Sequence, residues 1–127
     1  MILRAFLDAS VLFSATYSDV GGSRELIRQA IRGTFQAVTC AYVLEEARRN
    51  IELTAPDLVE LHDFIASSLS DYTQVVEDPD STLVKEVEGY VVPKDAPVVA
   101  AALAAQADFL VTLDRKHLLR EIVRQRS

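Results

Sequence analysis

Residues 95–114, DAPVVAAALAAQADFLVTLD, carry the strongest fold signal in the chain. The first half predicts a buried helix over 95–106. Asp95 stands at the N-cap, Pro97 in the first turn, and Val98, Val99, Leu103 and a run of alanines follow without polar interruption. Ala107-Asp108 predicts a turn, and 109–113 a short apolar strand of the kind covered on both faces. About eleven residues of helix span roughly 17 Å, and about five of strand roughly 16 Å. The two legs run in opposite directions at similar length, so Asp95 and Asp114 are expected at the same end of the domain.

Upstream, 2–7 predicts a strand with Arg4 as its one charge, ending at Asp8, and a helix begins at 9–16. A loop at 19–22 leads to a helix over 23–32, which Gly33-Thr34 stops. Strand 35–39 feeds a helix over 41–53 with Val43, Leu44, Ala47 and Ile51 inward. Pro56 opens a further helix to 69 with Leu58, Leu61, Phe64, Ile65 and Leu69 at helical spacing. Strand 72–76, a turn at 77–80 and a short helix over 81–91 precede the central unit, and 115–126 predicts a last helix. Strands alternating with helices, and apolar rather than alternating in pattern, predict a three-layer α/β/α sandwich around a central, mostly parallel sheet of four to five strands. The chain, 1–127, is expected to be a single domain, since no repeat, low-complexity tract or Gly/Ser linker divides it.

In such a fold the functional site lies beyond the carboxyl ends of the strands, near the point where strand order reverses. Asp8 follows the first strand and Asp114 the fourth. Glu46 lies in the second turn of the helix leaving the second strand, and Asp95 opens the helix leading into the fourth. Singly, each has an ordinary explanation. Asp8, Asp95 and Asp114 are favoured helix caps, and Glu46 suits a surface pair with Arg48 or Arg49. Gathered at one rim, four carboxylates repel unless something positive lies between them. Oxygen-only ligands favour a hard divalent ion, Mg2+ or Mn2+, which keeps several waters and prefers phosphate-bearing substrates.

With these residues in place the chain resembles PIN-domain proteins, a family of nucleases that includes many toxins of bacterial and archaeal toxin–antitoxin pairs. The family opening, an apolar strand ending in Asp before a small residue and Ser or Thr, is similar to FLDASVL, with Asp8 and Ser10. The second acid falls in VLEEARRNI, at Glu46 on the alignment of Ala47 and Ile51, or at Glu45 one residue earlier. KDAPVVAAALA supplies Asp95, and ADFLVTLDRKHLL supplies Thr112 and Asp114. The resemblance implies a metal-dependent endoribonuclease that cuts single-stranded or structured RNA. Its acids Asp8, Glu46, Asp95 and Asp114 would hold one or two Mg2+ or Mn2+ ions. Ser10 and Thr112 would orient the carboxylates or a water through their hydroxyls. Capping remains the competing role for Ser10. Arg115 and Lys116 serve equally as surface residues or as contacts to a substrate phosphate, and Asp108 is the weakest acidic candidate. As partners the family implies an RNA substrate, an antitoxin covering the cleft, and a homodimer. The alternative is a catalytically silent PIN-like module that binds nucleic acid or protein. Two departures stand out. Cys40 occupies the place where relatives put Ser or Thr, so Thr39 is expected to cap instead. The fifth strand that relatives carry after the fourth acid is expected to be absent or much shortened.

Composition narrows the rest. Thirteen Lys and Arg against nineteen Asp and Glu give a net charge of −6, which argues against nonspecific wrapping of nucleic acid. One cysteine and two histidines exclude a disulfide framework and a Cys/His zinc site. MILRAFLD lacks the basic start and long apolar run of a signal peptide, and the alanine-rich helix is too short to span a bilayer, so a cytoplasmic protein with no membrane segment is expected. Ser10 stands where a haloacid-dehalogenase-type phosphatase needs a second Asp. The first strand offers only Asp8, where a response-regulator receiver needs paired acids. No Gly-rich turn follows that strand, as a phosphate-cradling nucleotide fold requires.

Overall fold

In the computed structural model, residues 2–18 and 21–113 are described, and the elements below refer to these. The first strand, β1 (Arg4–Leu7), is short and apolar apart from Arg4 and leads directly into helix α1 (Ala9–Tyr17). Helix α2 (Gly22–Ile31) follows and ends at Gly33, whose φ of +83° is the left-handed conformation that glycine adopts without steric cost. Strand β2 (Gln36–Cys40) enters helix α3 (Ala41–Thr54). Pro56 begins a 3-10 turn (Pro56–Leu58) that runs into helix α4 (Val59–Ser70) and strand β3 (Thr73–Val76). Asp80 caps helix α5 (Ser81–Val87) by accepting from the Thr82 amide at 2.7 Å. Helix α6 (Ala96–Ala104) and strand β4 (Phe109–Val111) complete the described chain.

The four strands pair in parallel in the order β3-β2-β1-β4. The chain lays down β1, β2 and β3 in one direction, then returns through α6 to set β4 on the other side of β1. The reversal point therefore lies between β1 and β4. Helices α1 to α4 pack on one another, α6 packs on the sheet, and α5 packs on α6, which gives the α/β/α layering. The main core gathers Phe6, Leu7, Leu12, Val38, Val43 and Ala101, and a smaller one joins Val87, Val91, Ala96, Val99 and Ala100 between α5 and α6. Burying each of the larger side chains contributes roughly 1.5–3 kcal/mol. No helix among the described residues is long and apolar enough to cross a membrane.

Three local expectations give way. On strand β4 Phe109 is 55% exposed, so the strand is not covered on both faces, and on α6 Leu103 faces outward. Helix α4 turns its buried face through His62 and Leu69, leaving Leu61 and Phe64 exposed, because His62 finds a buried partner in Thr16 across the α1–α4 contact. Thr39 does not cap α3. Its hydroxyl donates to the Leu7 carbonyl, and Cys40 holds the cap position.

Candidate active site

Parallel register brings the first two candidate residues together. Ala5, Phe6 and Leu7 pair with Phe109, Leu110 and Val111, so the next residues on each strand, Asp8 and Thr112, leave the sheet side by side. The Asp8 amide donates to the Val111 carbonyl at 3.1 Å, and Thr112 Oγ1 donates to Asp8 Oδ2 at 2.7 Å. Ser10 Oγ donates to the same oxygen at 3.1 Å and accepts from the Leu113 amide at 3.0 Å. The other oxygen, Asp8 Oδ1, accepts from the Ala9 amide at 2.7 Å at the start of α1. Asp8 is therefore both the cap of α1 and a buried carboxylate fixed by two hydroxyls. The capping reading of Asp8 therefore holds, and its carboxylate lines the cavity described next.

Asp95 behaves differently. It precedes α6 in helical backbone conformation and makes no side-chain cap, although its carbonyl accepts from the Val99 amide. Its side chain is buried and faces the same cavity as Asp8. That cavity, of about 680 Å3, is lined by Asp8, Ser10, Glu46, Lys94 and Asp95 and runs on between α1 and α3. Glu46, half-buried, belongs to its wall, whereas the adjacent Glu45 is exposed and does not. Burial raises the pKa of the Glu46 carboxyl, and the negative charges of Asp8 and Asp95 push it further, against the pull of Arg49 and Lys94. Three acids widely separated in sequence thus share one pocket and repel one another.

Asp114, Arg115 and Lys116 lie outside the described residues. Asp108 is occupied in joining β1 to the turn before β4. Its Oδ2 accepts from the Arg4 amide at 2.8 Å, and its own amide donates to the Arg4 carbonyl. Arg48 pairs with Glu52 and Asp63 rather than with Glu46. The Cys40 thiol, pushed up to about 11 by burial, with a Val43 backbone hydrogen bond acting the other way and Asp78 adding to the rise, is a poor nucleophile.

Tyr42, Phe13 and Tyr17 are residues that the sequence alone did not single out. Burial and then Glu46 raise the pKa of the Tyr42 hydroxyl, while Phe13 and Tyr17 line the cavity. For the last two a signal existed: Ser10, Phe13, Ser14, Tyr17 and Ser18 recur at helical spacing on one face of α1.

Among the described residues no three of His, Cys, Asp and Glu already stand close enough to clasp an ion. In chemistry the donor set fits a hard divalent cation, because it offers carboxylate and hydroxyl oxygens and surplus negative charge.

The sequence profile of the PIN domain matches residues 4–116. No curated protein matches the chain by sequence. Among solved structures the chain is similar to PAE2754 from Pyrobaculum aerophilum, with a TM-score of 0.65 and 22% identity, covering 94% of this chain and 79% of that one. It is also similar to VapC20 from Mycobacterium tuberculosis, a toxin that cleaves the sarcin–ricin loop, with a TM-score of 0.62 and 14% identity, covering 91% of this chain and 94% of that one. At these identities the likeness is one of fold.

Proposed function

The chain belongs to the PIN-domain family, and on that premise we propose that it is a metal-dependent endoribonuclease that hydrolyses RNA phosphodiester bonds, the toxin of a toxin–antitoxin pair. The observation that carries this reading is the meeting of Asp8, Glu46 and Asp95 in one cavity at the carboxyl end of β1. Asp114 joins them on the strength of its sequence motif. These four would hold Mg2+ or Mn2+. When bound, the ion supplies an acidified water and neutralises charge on the phosphate.

The remaining work falls to the chain itself. Thr112 and Ser10 fix the Oδ2 edge of Asp8 and the Ala9 amide fixes the other, so this carboxylate is oriented before any ligand arrives. Glu46 and Asp95 bring further negative charge to the cavity lining. Lys94, beside Asp95 in the cavity wall, offers a positive charge to a phosphate or to the acids themselves. Arg115 and Lys116, next to Asp114 in sequence, are suited to a second phosphate contact. As partners the reading requires an RNA substrate and an antitoxin that covers the cleft.

The test uses the purified full-length chain, a generic structured RNA, and Mn2+, Mg2+ or EDTA. Cleavage is expected with either metal and not in EDTA. Asp8→Asn and Asp95→Asn are expected to reduce it by about a thousandfold or more, a loss of about 4 kcal/mol at 1.36 kcal/mol per decade. Asn keeps the cap on α1, so the first variant removes charge without removing the helix start. Full-rate cleavage by a folded Asp8→Asn protein overturns the assignment. Metal binding without any cleavage by the parent protein favours the silent interaction module.

A further inference from the structure

The cavity holds more than its acids. Two helical stripes form its walls beyond the rim. On α1, Ser10, Phe13, Ser14 and Tyr17 face it, with Ser18 just past the helix end, and on α3, Glu46, Asn50 and Thr54 do so at intervals of one turn. Phe13 and Tyr17 lie one turn apart with ring centroids 5.8 Å apart and planes inclined by 12°, a stacked pair. Phe13 is half-buried, while Tyr17 is 64% exposed. Across the cavity the Thr54 hydroxyl is engaged by the Asn50 carbonyl, and the Asn50 side chain offers amide donors and an acceptor.

The geometry points to a nucleobase subsite in which an unpaired base of the RNA extends the Phe13–Tyr17 stack and presents its edge to Asn50. Three features support it. A flat aromatic pair with an open outer ring is a stacking platform that accepts any base, and a base inside a duplex, already stacked on both faces, is not free to use it. Continuity with the acids supplies the register: Ser10 and Tyr17 lie about 10 Å apart along α1, so a strand with its phosphate at Asp8 reaches Tyr17 with a neighbouring nucleotide. The protein's net charge of −6 leaves little general attraction for a phosphate backbone, so affinity must come from local contacts. Substrate choice then favours single-stranded segments and loops, whose bases are free to splay. The substrate class here rests on the ribonuclease reading, whereas the subsite itself is tested by binding.

The experiment uses the full chain in Ca2+, which satisfies the carboxylates, and a fluorescein-labelled oligouridylate of about ten nucleotides, within the usual length of single-strand sites. Tyr17→Ala is expected to weaken binding about tenfold, Tyr17→Leu to weaken it equally, and Tyr17→Phe to restore it. The chain has no tryptophan, so Tyr17→Trp adds a single reporter whose fluorescence should be quenched by the oligouridylate but not by its duplex with oligoadenylate. In a Mn2+ cleavage assay Tyr17→Ala should raise KM about tenfold with kcat within about twofold. Equal binding by folded parent and Tyr17→Ala proteins, quenching by duplex as strong as by single strand, or no binding by any folded variant overturns the subsite. Cleavage with an unchanged KM in Tyr17→Ala leaves the nuclease standing and removes the subsite. Tyr17-dependent binding without cleavage does the reverse.

Discussion

Helix α3 presents two charged faces that behave in opposite ways. On its outer face Arg48 donates to Asp63 at 3.0 Å and to Glu52 at 2.7 Å, tying α3 to α4. The Arg48 hydrogen bond holds the Asp63 carboxyl below its usual range, and the same bond raises Arg48. Two residues away Glu46 turns to the cavity, where burial and the charges of Asp8 and Asp95 push its carboxyl up. The outer face pairs its charges in water, where such pairs contribute little. The inner face gathers like charge out of water, where it costs stability at neutral pH. A helix that needed only to fold would have no use for the second arrangement. Unfavourable electrostatics confined to a pocket, beside well-paired charges outside it, are what a binding or catalytic site leaves in a structure.

The sharpest way to break this contrast is to loosen the carboxylate that the inner face converges on. Thr112→Val and Ser10→Ala each remove a hydroxyl from Asp8 Oδ2. Each is expected to lower kcat/KM for RNA about tenfold to a hundredfold, as loss of an orienting hydrogen bond typically does. The check is steady-state cleavage alongside a melting curve. Unchanged kcat/KM in both variants would mean that Asp8 needs no orientation by these groups.

A second polar pair, buried and far from any charge surplus, gives the stability counterpart. Thr16 Oγ1 donates to the Leu12 carbonyl at 3.0 Å and meets His62 Nδ1 at 3.1 Å, an arrangement satisfied when Nδ1 carries the proton and the ring is neutral. Thr16→Val leaves that nitrogen without its partner, at a cost of about 1–3 kcal/mol, or roughly 3–15 °C in Tm, with kcat unchanged. Burial lowers the pKa of His62. The unfolded chain therefore takes up a proton that the folded one refuses. This group's contribution to stability is complete above the unfolded pKa near 6.5 and is lost as pH falls through the folded value. A Tm independent of pH between about 7 and 5 in the parent, and equally so in His62→Gln, would show that the ring carries no such burden.

How far these regions could be read beforehand follows from the physics of each. Strands β1 and β2 and helix α6 were legible because apolar runs bounded by Asp8, Cys40 and Asp95 leave few alternatives. That Asp8 and Asp95 line one cavity accords with the rule that sites form beyond the carboxyl ends of parallel strands, whereas the matched lengths of helix and strand place Asp95 beside Asp114, which lies outside the described residues. Helix α4 itself was legible, but which side it buries was only partly so: Ile65 and Leu69 pack inward as expected, whereas Leu61 and Phe64 give way to His62, whose buried partner Thr16 lies on another helix. The position of β4 was legible too, but an apolar run does not reveal whether other elements cover each face of the strand, and the face carrying Phe109 is exposed. Phe13 and Tyr17 escaped notice because aromatic residues at helical spacing usually signal core, and only the position of α3 shows that this stripe faces a cavity.

A sharper version of the contrast compares Glu46→Gln with the parent in the absence of metal. Folding raises the Glu46 pKa above its unfolded value. Its favourable contribution is therefore present below about 4.5 and disappears as pH rises through the folded value. At pH 7 the neutral variant should melt at the same temperature as the parent or higher, and Mn2+ should stabilise the parent more than the variant. The slope with pH is opposite in sign to that of His62, so the two can be separated in one titration. A clear drop in metal-free Tm for Glu46→Gln would mean that this carboxylate is paired in the folded state, not repelled.

The smallest effect is expected where the contacts look best. Arg48 makes close ion pairs, at 2.7 Å to Glu52 and 3.0 Å to Asp63, yet it and its partners are about half exposed to water. Arg48→Ala removes two well-formed contacts and should still shift Tm by no more than a marginal amount, with the shift fading as salt is added. RNA cleavage should be unchanged, because Arg48 faces away from the cavity that Glu46 enters. A large, salt-independent loss of Tm would instead mean that the bridge to Asp63 holds α4 in register against α3. The buried Thr16–His62 contact would then share that role with the outer face, and the division of α3 into one face for folding and another for chemistry would no longer rest on solvent alone.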